Sequence, residues 1–325
     1  MPNPSCSTKT IASRYVFLLL PNYSMTAFAS AVEPLRIANR VLGKPAYEWQ
    51  FISETGANVR CSNGASLVVG GGFSDLARDQ TIIICGGLDI KAATSKTVIG
   101  WLRRESRKGM AIGALCTGTY VLAKAGLLAG RRATIHWENR ESFIEEFPDL
   151  DLSTSIFTID RNRFTAAGGA ASLDLMLKLI ALDHGAKVAN SVADQMIHTA
   201  IRTDKDDQRL SIPTRIGVRH PKLAQVIHMM DKNLEEPISP SDLASKVGMS
   251  TRQLERLFRR YLDRSPKRYY MELRLNKSRN LLLQTEMSVI NVALACGFSS
   301  PSHFSKCYRS HFQTTPYRER GAQGD

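Results

Sequence analysis

Two segments near the end of the chain repeat one another, and that repeat limits the fold more than any other feature. Asp242-Leu-Ala-Ser-Lys-Val-Gly248-Met-Ser250 runs on through Leu254, Phe258 and Pro266. Val292-Ala293-Leu-Ala-Cys-Gly297-Phe298-Ser299 runs on through Phe304, Tyr308 and Pro316. In each copy an alanine stands four residues before a glycine. The small side chain lets two helices cross closely, and the glycine permits a sharp turn between them. A serine in the turn can cap the next helix, and an apolar or aromatic i,i+4 pair locks that helix onto its neighbour. A Ser265-Pro266 or Thr315-Pro316 step then suits a further helix start. The second copy is one residue longer between Gly and Pro.

Helical periodicity extends over His220 to Asn233, Ser239 to Val247, Thr251 to Leu262, Pro266 to Leu283, Val289 to Cys296 and Ser302 to Phe312. With the apolar stripe buried, the other face of the second helix of each unit is free to enter a major groove. In the first unit that face offers Thr251, Arg252, Gln253, Arg256 and Arg260. In the second it offers Ser300, Ser302, His303 and Lys306. Arg and Gln pair bidentately with guanine and adenine edges. Lys267, Arg268 and Arg309 suit phosphate contacts, which hold register rather than read sequence. The intervening helix would be ~27 Å long, able to space two reading helices into successive major grooves about 34 Å apart. One protomer is expected to read two adjacent half-sites of double-stranded DNA.

Charge points the same way. The net charge is +13, and Ser211 to Asp325 holds 19 Lys and Arg against 10 Asp and Glu, whereas Met1 to Leu210 holds 24 against 20. A compact basic segment suits a polyanion, because phosphate contacts release counterions. A merely solvated basic surface is the plain alternative. No apolar run reaches the ~18 residues that would span a bilayer, and Met1 to Thr10 has no apolar signal core. A cytoplasmic protein without a membrane partner is expected. Cys6, Cys61, Cys85, Cys116, Cys296 and Cys307 are scattered with no CxxC pair, which argues against a disulfide framework or a zinc site. No metal and no cofactor are expected.

At 325 residues the chain suggests two domains. Its front alternates strands and helices. Tyr15 to Leu20, Phe51-Ile52, Thr81 to Cys85, Met110 to Leu115 and Phe164 to Ala167 read as strands. Lys96 to Lys108, Tyr120 to Leu127 and Ala171 to Leu182 read as helices. The pattern predicts an α/β sandwich with a mainly parallel sheet over 13–202. A charged stretch broken by Pro213 and Gly217 predicts a linker over 203–219, before an all-α domain over 220–320.

His220 to Arg318 resembles the AraC/XylS family of transcriptional regulators, on the run Ala293-Leu-Ala-Cys-Gly297-Phe298-Ser299 through Phe304, Tyr308 and Pro316. Gln313 stands where that family usually has Gly, and Tyr308 follows the more polar Cys307 where it commonly has Phe. Arg14 to Thr199 resembles the class I glutamine amidotransferase-like superfamily, in its PfpI and isonitrile-hydratase-like branch. The matching pieces are Glu33, Cys85-Gly86-Gly87, Gly113 to Gly118, Thr134-Ile-His136-Trp137 and Ala167-Gly168-Gly169. This resemblance implies a flavodoxin-like front domain. The fusion of the two resembles the GlxA-like regulators. Arg215 to Leu223 and Leu234-Glu-Glu-Pro237 are most similar to regulators of arginine, glycine betaine and carnitine catabolism. The resemblance implies a homodimer and a small-molecule effector, with RNA polymerase as partner if the protein activates.

Cys116 ends an apolar strand and opens a helix, so its side chain is expected at the carboxyl edge of the sheet, where α/β sites form. The helix N-terminus there would favour a thiolate or an anionic ligand. The expected effector pocket comprises Glu33, Gly86, Gly87, Cys116, Thr117, His136 and Trp137. Backbone donors at Gly86, Gly87 and Thr117 would hold a carboxylate, and Trp137 would face a cation. His136 as a structural histidine and Trp137 as core are the plain alternatives. Catalysis by Cys116 would need a base within reach. The residue after it is Thr117, where related enzymes often place His, so a non-enzyme is expected. A Cys-dependent amidase or hydratase and a thiol redox sensor are the competing readings.

Overall fold

The computed structural model describes residues 12–208 and 220–321. The chain divides into two compact units, the first ending at Gln208. Residues 209–219, which include most of the expected linker, lie outside the described residues.

In the first unit the strands are β1 (Ser13–Leu19), β2 (Tyr47–Ile52), β3 (Val59–Arg60), β4 (Ser66–Leu67), β5 (Gln80–Cys85), β6 (Ile112–Leu115), β7 (Phe157–Asp160) and β8 (Arg163–Ala166). The main sheet has the order β2-β1-β5-β6-β8-β7, and β3 pairs with β4 in a separate two-stranded ribbon. Every neighbour pair in the main sheet is parallel except β7 with β8. The run of apolar residues in β1 is buried on both faces, as a central parallel strand requires. Tyr15, Phe17 and Leu19 enter one core, while Val16, Leu18 and Leu20 enter the other. Helices α1 (Met25–Leu42), α6 (Ala171–His184) and α7 (Ala186–Gln195) contribute to the first core. The second core takes side chains from α2 (Ile90–Ala93), α3 (Lys96–Ser106), α4 (Gly118–Lys124) and α5 (Arg140–Glu146).

The mainly parallel α/β sandwich is as the alternation predicts. The β7–β8 hairpin is not, because its polarity is mixed. Thr158 and Thr165 are buried and share a hydrogen bond of 2.8 Å across the pair, so no continuous apolar run marks β7. Residues 203–208, read from sequence as the start of the linker, lie on the first unit. Ile156 N donates to Asp206 O at 3.0 Å, and the Gln208 amide donates to Thr134 Oγ1 (2.9 Å), Ile135 O (2.9 Å) and Ser155 O (3.2 Å). Just before them, the fully buried Asp174 carboxylate accepts from Arg202 N (2.9 Å), Nε (3.0 Å) and Nη2 (2.6 Å), and lies 2.9 Å from His198 Nε2. Charge and turn chemistry mark this segment as loop, but composition cannot show what a loop docks on.

The second unit is helical: α8 (Pro221–Lys232), α9 (Pro240–Lys246), α10 (Thr251–Leu262), α11 (Pro266–Gln284), α12 (Val289–Ala295), α13 (Pro301–Phe312) and α14 (Pro316–Gly321). It holds two small cores. Leu223, Val226, Leu243, Ala244, Leu254 and Phe258 meet in one. Leu281, Leu282, Val292, Ala293, Phe304 and Tyr308 meet in the other. Helix α11 serves both, giving Tyr270 to the first core and Leu275 to the second. No described helix is long and apolar enough to cross a membrane.

Candidate functional site

The two helix-turn-helix units are built from the same backbone bonds. In α9–α10, Gly248 N donates to Ser245 O (3.0 Å) and Met249 N to Ala244 O (2.9 Å). In α12–α13, Gly297 N donates to Leu294 O (2.8 Å) and Phe298 N to Ala293 O (2.9 Å). Gly248 at φ +62° and Gly297 at φ +74° take the left-handed conformation that lets each helix stop within one turn. Each turn is also held from outside by a cation. Lys222 Nζ donates to Gly248 O at 3.1 Å. Arg274 Nε and Nη2 donate to Cys296 O (2.7 Å) and Gly297 O (2.5 Å), while its guanidinium stacks 4.1 Å over Phe298. Lys222 and Arg274 each immediately precede a buried leucine, Leu223 and Leu275. The later half of α11 therefore does for the second unit what α8 does for the first, a role the sequence reading missed.

The extra residue of the second copy lies in its turn. Ser250 caps α10, whereas Ser300 rather than Ser299 caps α13, accepting from His303 N at 3.3 Å. Ser300 is thus occupied as a cap. So is Gln253, whose Oε1 accepts from Ser250 N (2.8 Å) while Ser250 Oγ accepts from Gln253 N (3.2 Å), a reciprocal capping box. Thr251, Arg252, Arg256 and Arg260 are exposed on α10, as are Ser302, His303, Lys306 and Arg309 on α13, opposite the buried pairs Leu254–Phe258 and Phe304–Tyr308. Lys267 and Arg268 are exposed at the start of α11, and Arg268 Nε donates to Glu272 at 3.3 Å.

In the first unit, three loops converge where β5, β6 and β8 end. Cys116 sits at φ +58°, a left-handed elbow between β6 and α4. Gly168 is required beside it, since a Cβ there would lie 2.8 Å from the Cys116 Cβ. Gly86 is required on the other side, where a Cβ would lie 2.3 Å from Gly118 N. The Thr117 hydroxyl donates to Gly87 O at 2.7 Å. Gly86, Gly87, Cys116 and Thr117 are therefore brought together.

The expected donor set is altered, because the Gly86 N–H is already given to Leu115 O (3.3 Å) and the buried Thr117 N–H bonds the Cys116 sulfur. Cys116 is 9% exposed, and burial pushes its thiol up to about 11, opposed by the Thr117 bond and reinforced by Glu138. The thiolate expected from the helix N-terminus does not form near neutral pH, because burial outweighs one donor. Glu33 is bound to Arg36 on α1, at 2.8 Å from Nε and 2.6 Å from Nη2, and the carboxylate that acts on Cys116 is Glu138. Glu138 also lies 3.7 Å from His136 Nδ1. Burial holds His136 below its ordinary 6.5 against that attraction, leaving a neutral imidazole at pH 7. The Trp137 ring lies 5.7 Å from that of His136 and is 38% exposed.

Comparison with known proteins matches each half separately and then the whole. Residues 26–182 match the DJ-1/PfpI family, and residues 243–322 match a helix-turn-helix domain. The HTH-type transcriptional regulator GbdR of Pseudomonas aeruginosa is 44% identical over 307 residues, covering 94% of this chain and 84% of the relative. CdhR of the same organism is 45% identical over 304 residues, covering 94% and 90%. GlxA of Rhizobium meliloti is 37% identical over 316 residues, covering 96% of each chain. The crystal structure of an AraC family transcriptional regulator from Pseudomonas putida aligns with 56% of this chain and 98% of its own, at 29% identity and a TM-score of 0.50. These relatives are named as regulators and not as enzymes. With similarity along almost its whole length, a DJ-1/PfpI half and a helix-turn-helix half, the chain belongs to the GlxA-like regulators of the AraC family, which are DNA-binding transcriptional regulators.

Proposed function

We propose that this regulator reads DNA with α10 and α13 and responds to a small amino-acid or quaternary-amine effector held in its front unit. The observation that carries the DNA reading is the paired turn, with identical bonds in both copies and a polar, basic face exposed on each following helix. Arg252, Arg256, Arg260, Ser302, His303 and Lys306 are assigned to base edges. Lys267, Arg268 and Arg309 are assigned to phosphates. Gln253, Thr251 and Ser300 sit at the starts of the reading helices, where the caps set the helix entry.

The effector is placed beside His136, Trp137 and Glu138, at the edge of the sheet near Cys116. A neutral imidazole and an exposed indole beside a carboxylate suit a cation with an apolar body, such as a quaternary ammonium or guanidinium group. Gly86, Gly87 and Thr117, which meet at the strand ends beside Cys116, are assigned to the same site, and so is Glu33. The protein is assigned as a cytoplasmic homodimeric activator that engages RNA polymerase from its DNA site, and catalysis is not part of the reading.

Thermal melting against arginine, glycine betaine, dimethylglycine and carnitine tests the effector class. A ligand of the folded state adds ~2.7 kcal/mol of stability at a hundredfold excess over its Kd. A selective shift that disappears in Trp137→Ala is the expected result. A flat panel would detach the front unit from this chemistry.

A further inference from the structure

Cys61, Cys85, Cys116 and Cys296 are buried, and Cys307 is the one cysteine among the described residues that is not. It lies on α13, the second reading helix. Its sulfur is 3.4 Å from His303 Nε2, one helical turn earlier on the same face. The pair opens into a groove of about 550 Å³ between α11 and α13. Arg268, Lys306 and His311 line that groove, with Met271 and Leu275 giving it an apolar floor. Glu272 also lines it, but its carboxylate is taken up by Arg264 and Arg268. The imidazole is within reach to accept the thiol proton, and the surrounding cations favour an anionic reagent. The volume is that of a small-molecule site.

We infer that Cys307 and His303 form a thiol-exchange site for an anionic low-molecular-weight disulfide, and that the adduct switches DNA binding off. His303 Nε2 takes the Cys307 proton, and the thiolate attacks one sulfur of the disulfide. A new S–S bond forms at Cys307 as the reagent's own S–S bond breaks. The departing sulfur leaves with the bonding pair and takes the proton from the imidazolium. Cys307 is oxidised to a mixed disulfide, and half of the reagent is reduced to a thiol. The adduct then occupies the space between the base-reading residues His303 and Lys306 and the phosphate-binding Arg268. A reductant restores the surface. The switch rests on the DNA reading above; the thiol site itself does not.

The test uses the full chain carrying Cys6→Ser, since Cys6 lies outside the described residues, with glutathione disulfide as the probe. Adduct position and rate are read by mass spectrometry. DNA binding is read by gel retardation of a random-sequence duplex pool at low salt. The adduct is expected on Cys307, forming about tenfold more slowly in His303→Gln. DNA binding should fall about tenfold on modification and return on reduction. Cys307→Ser should bind DNA like its parent and ignore the disulfide. An unmodified Cys307, an equal rate in His303→Gln, or a fully modified protein with undiminished DNA binding would each overturn the proposal. Untreated protein that never retards the duplexes would instead sink the DNA reading, while the adduct rates still judge the thiol pair.

Discussion

At the scale of single residues, Gly248 and Gly297 occupy equivalent turns but face different surroundings. A Cβ on Gly248 has Lys222 Nζ as its nearest neighbour at 3.8 Å. A Cβ on Gly297 would lie 2.6 Å from both Leu234 O and Glu235 O, and 3.0 Å from Pro237. Gly248→Ala should therefore cost only the left-handed strain, about 1–2 kcal/mol. Gly297→Ala adds the displacement of a neighbouring backbone, for a total of about 3 kcal/mol or more. Urea denaturation of the two variants measures the difference, and equal losses would contradict the packing of residues 234–237 on the second turn. Gln313 gives the opposite sign. It sits at φ +59°, the left-handed cap of α13, with its N–H on Arg309 O. Glycine there relieves about 1–2 kcal/mol of strain and costs about 0.5–1 kcal/mol of backbone entropy. Gln313→Gly is expected to stabilise by roughly 0.5–1 kcal/mol, seen as a raised urea midpoint at constant slope.

At the scale of elements, α10 separates two roles that sequence spacing merges. Gln253 and Arg256 both stand on its exposed side, yet Gln253 closes a capping box and Arg256 has no such duty. Gln253→Ala should lower stability by about 1 kcal/mol through the cap. Arg256→Ala should leave the denaturation midpoint alone and weaken DNA binding by about 1–3 kcal/mol. Unchanged DNA affinity in Arg256→Ala would mean that another face enters the groove. The helix pairs, their glycine turns and the apolar stripes were legible because each depends on residues three to five apart. The Arg274 fork on Cys296 and Gly297 was not, for it joins positions more than twenty apart through carbonyls that carry no side-chain signature. The same limit applies in the front unit. The elbow at Cys116 follows from a strand, a cysteine and a helix in sequence. The pairing of Glu33 with Arg36, and the approach of Glu138 to Cys116, depend on side-chain direction and loop path.

At the scale of the whole molecule, the proposed regulation needs an effector that favours one of two states and a physical route from its site to the DNA-binding unit. The route suggested by the bonding begins at the loop bearing His136 and Trp137. That loop follows Thr134 and Ile135, and both accept hydrogen bonds from the amide of Gln208, the last described residue before the second unit. The same amide reaches Ser155, while its own oxygen is buried with no hydrogen-bond partner among the described residues. A shift of the loop by about an ångström would break these bonds, because hydrogen bonds weaken steeply beyond their usual length. The start of the connection would then be released from the first unit. Gln208→Ala should imitate that release permanently. Effector binding, read as a thermal shift, should persist, since Gln208 is not assigned to the cleft. The effector's influence on DNA affinity, about 5–150-fold for a coupling of 1–3 kcal/mol, should vanish. Titrating DNA with and without effector on the parent and the variant measures both quantities. Full coupling retained in Gln208→Ala would show that the signal leaves the front unit by another path.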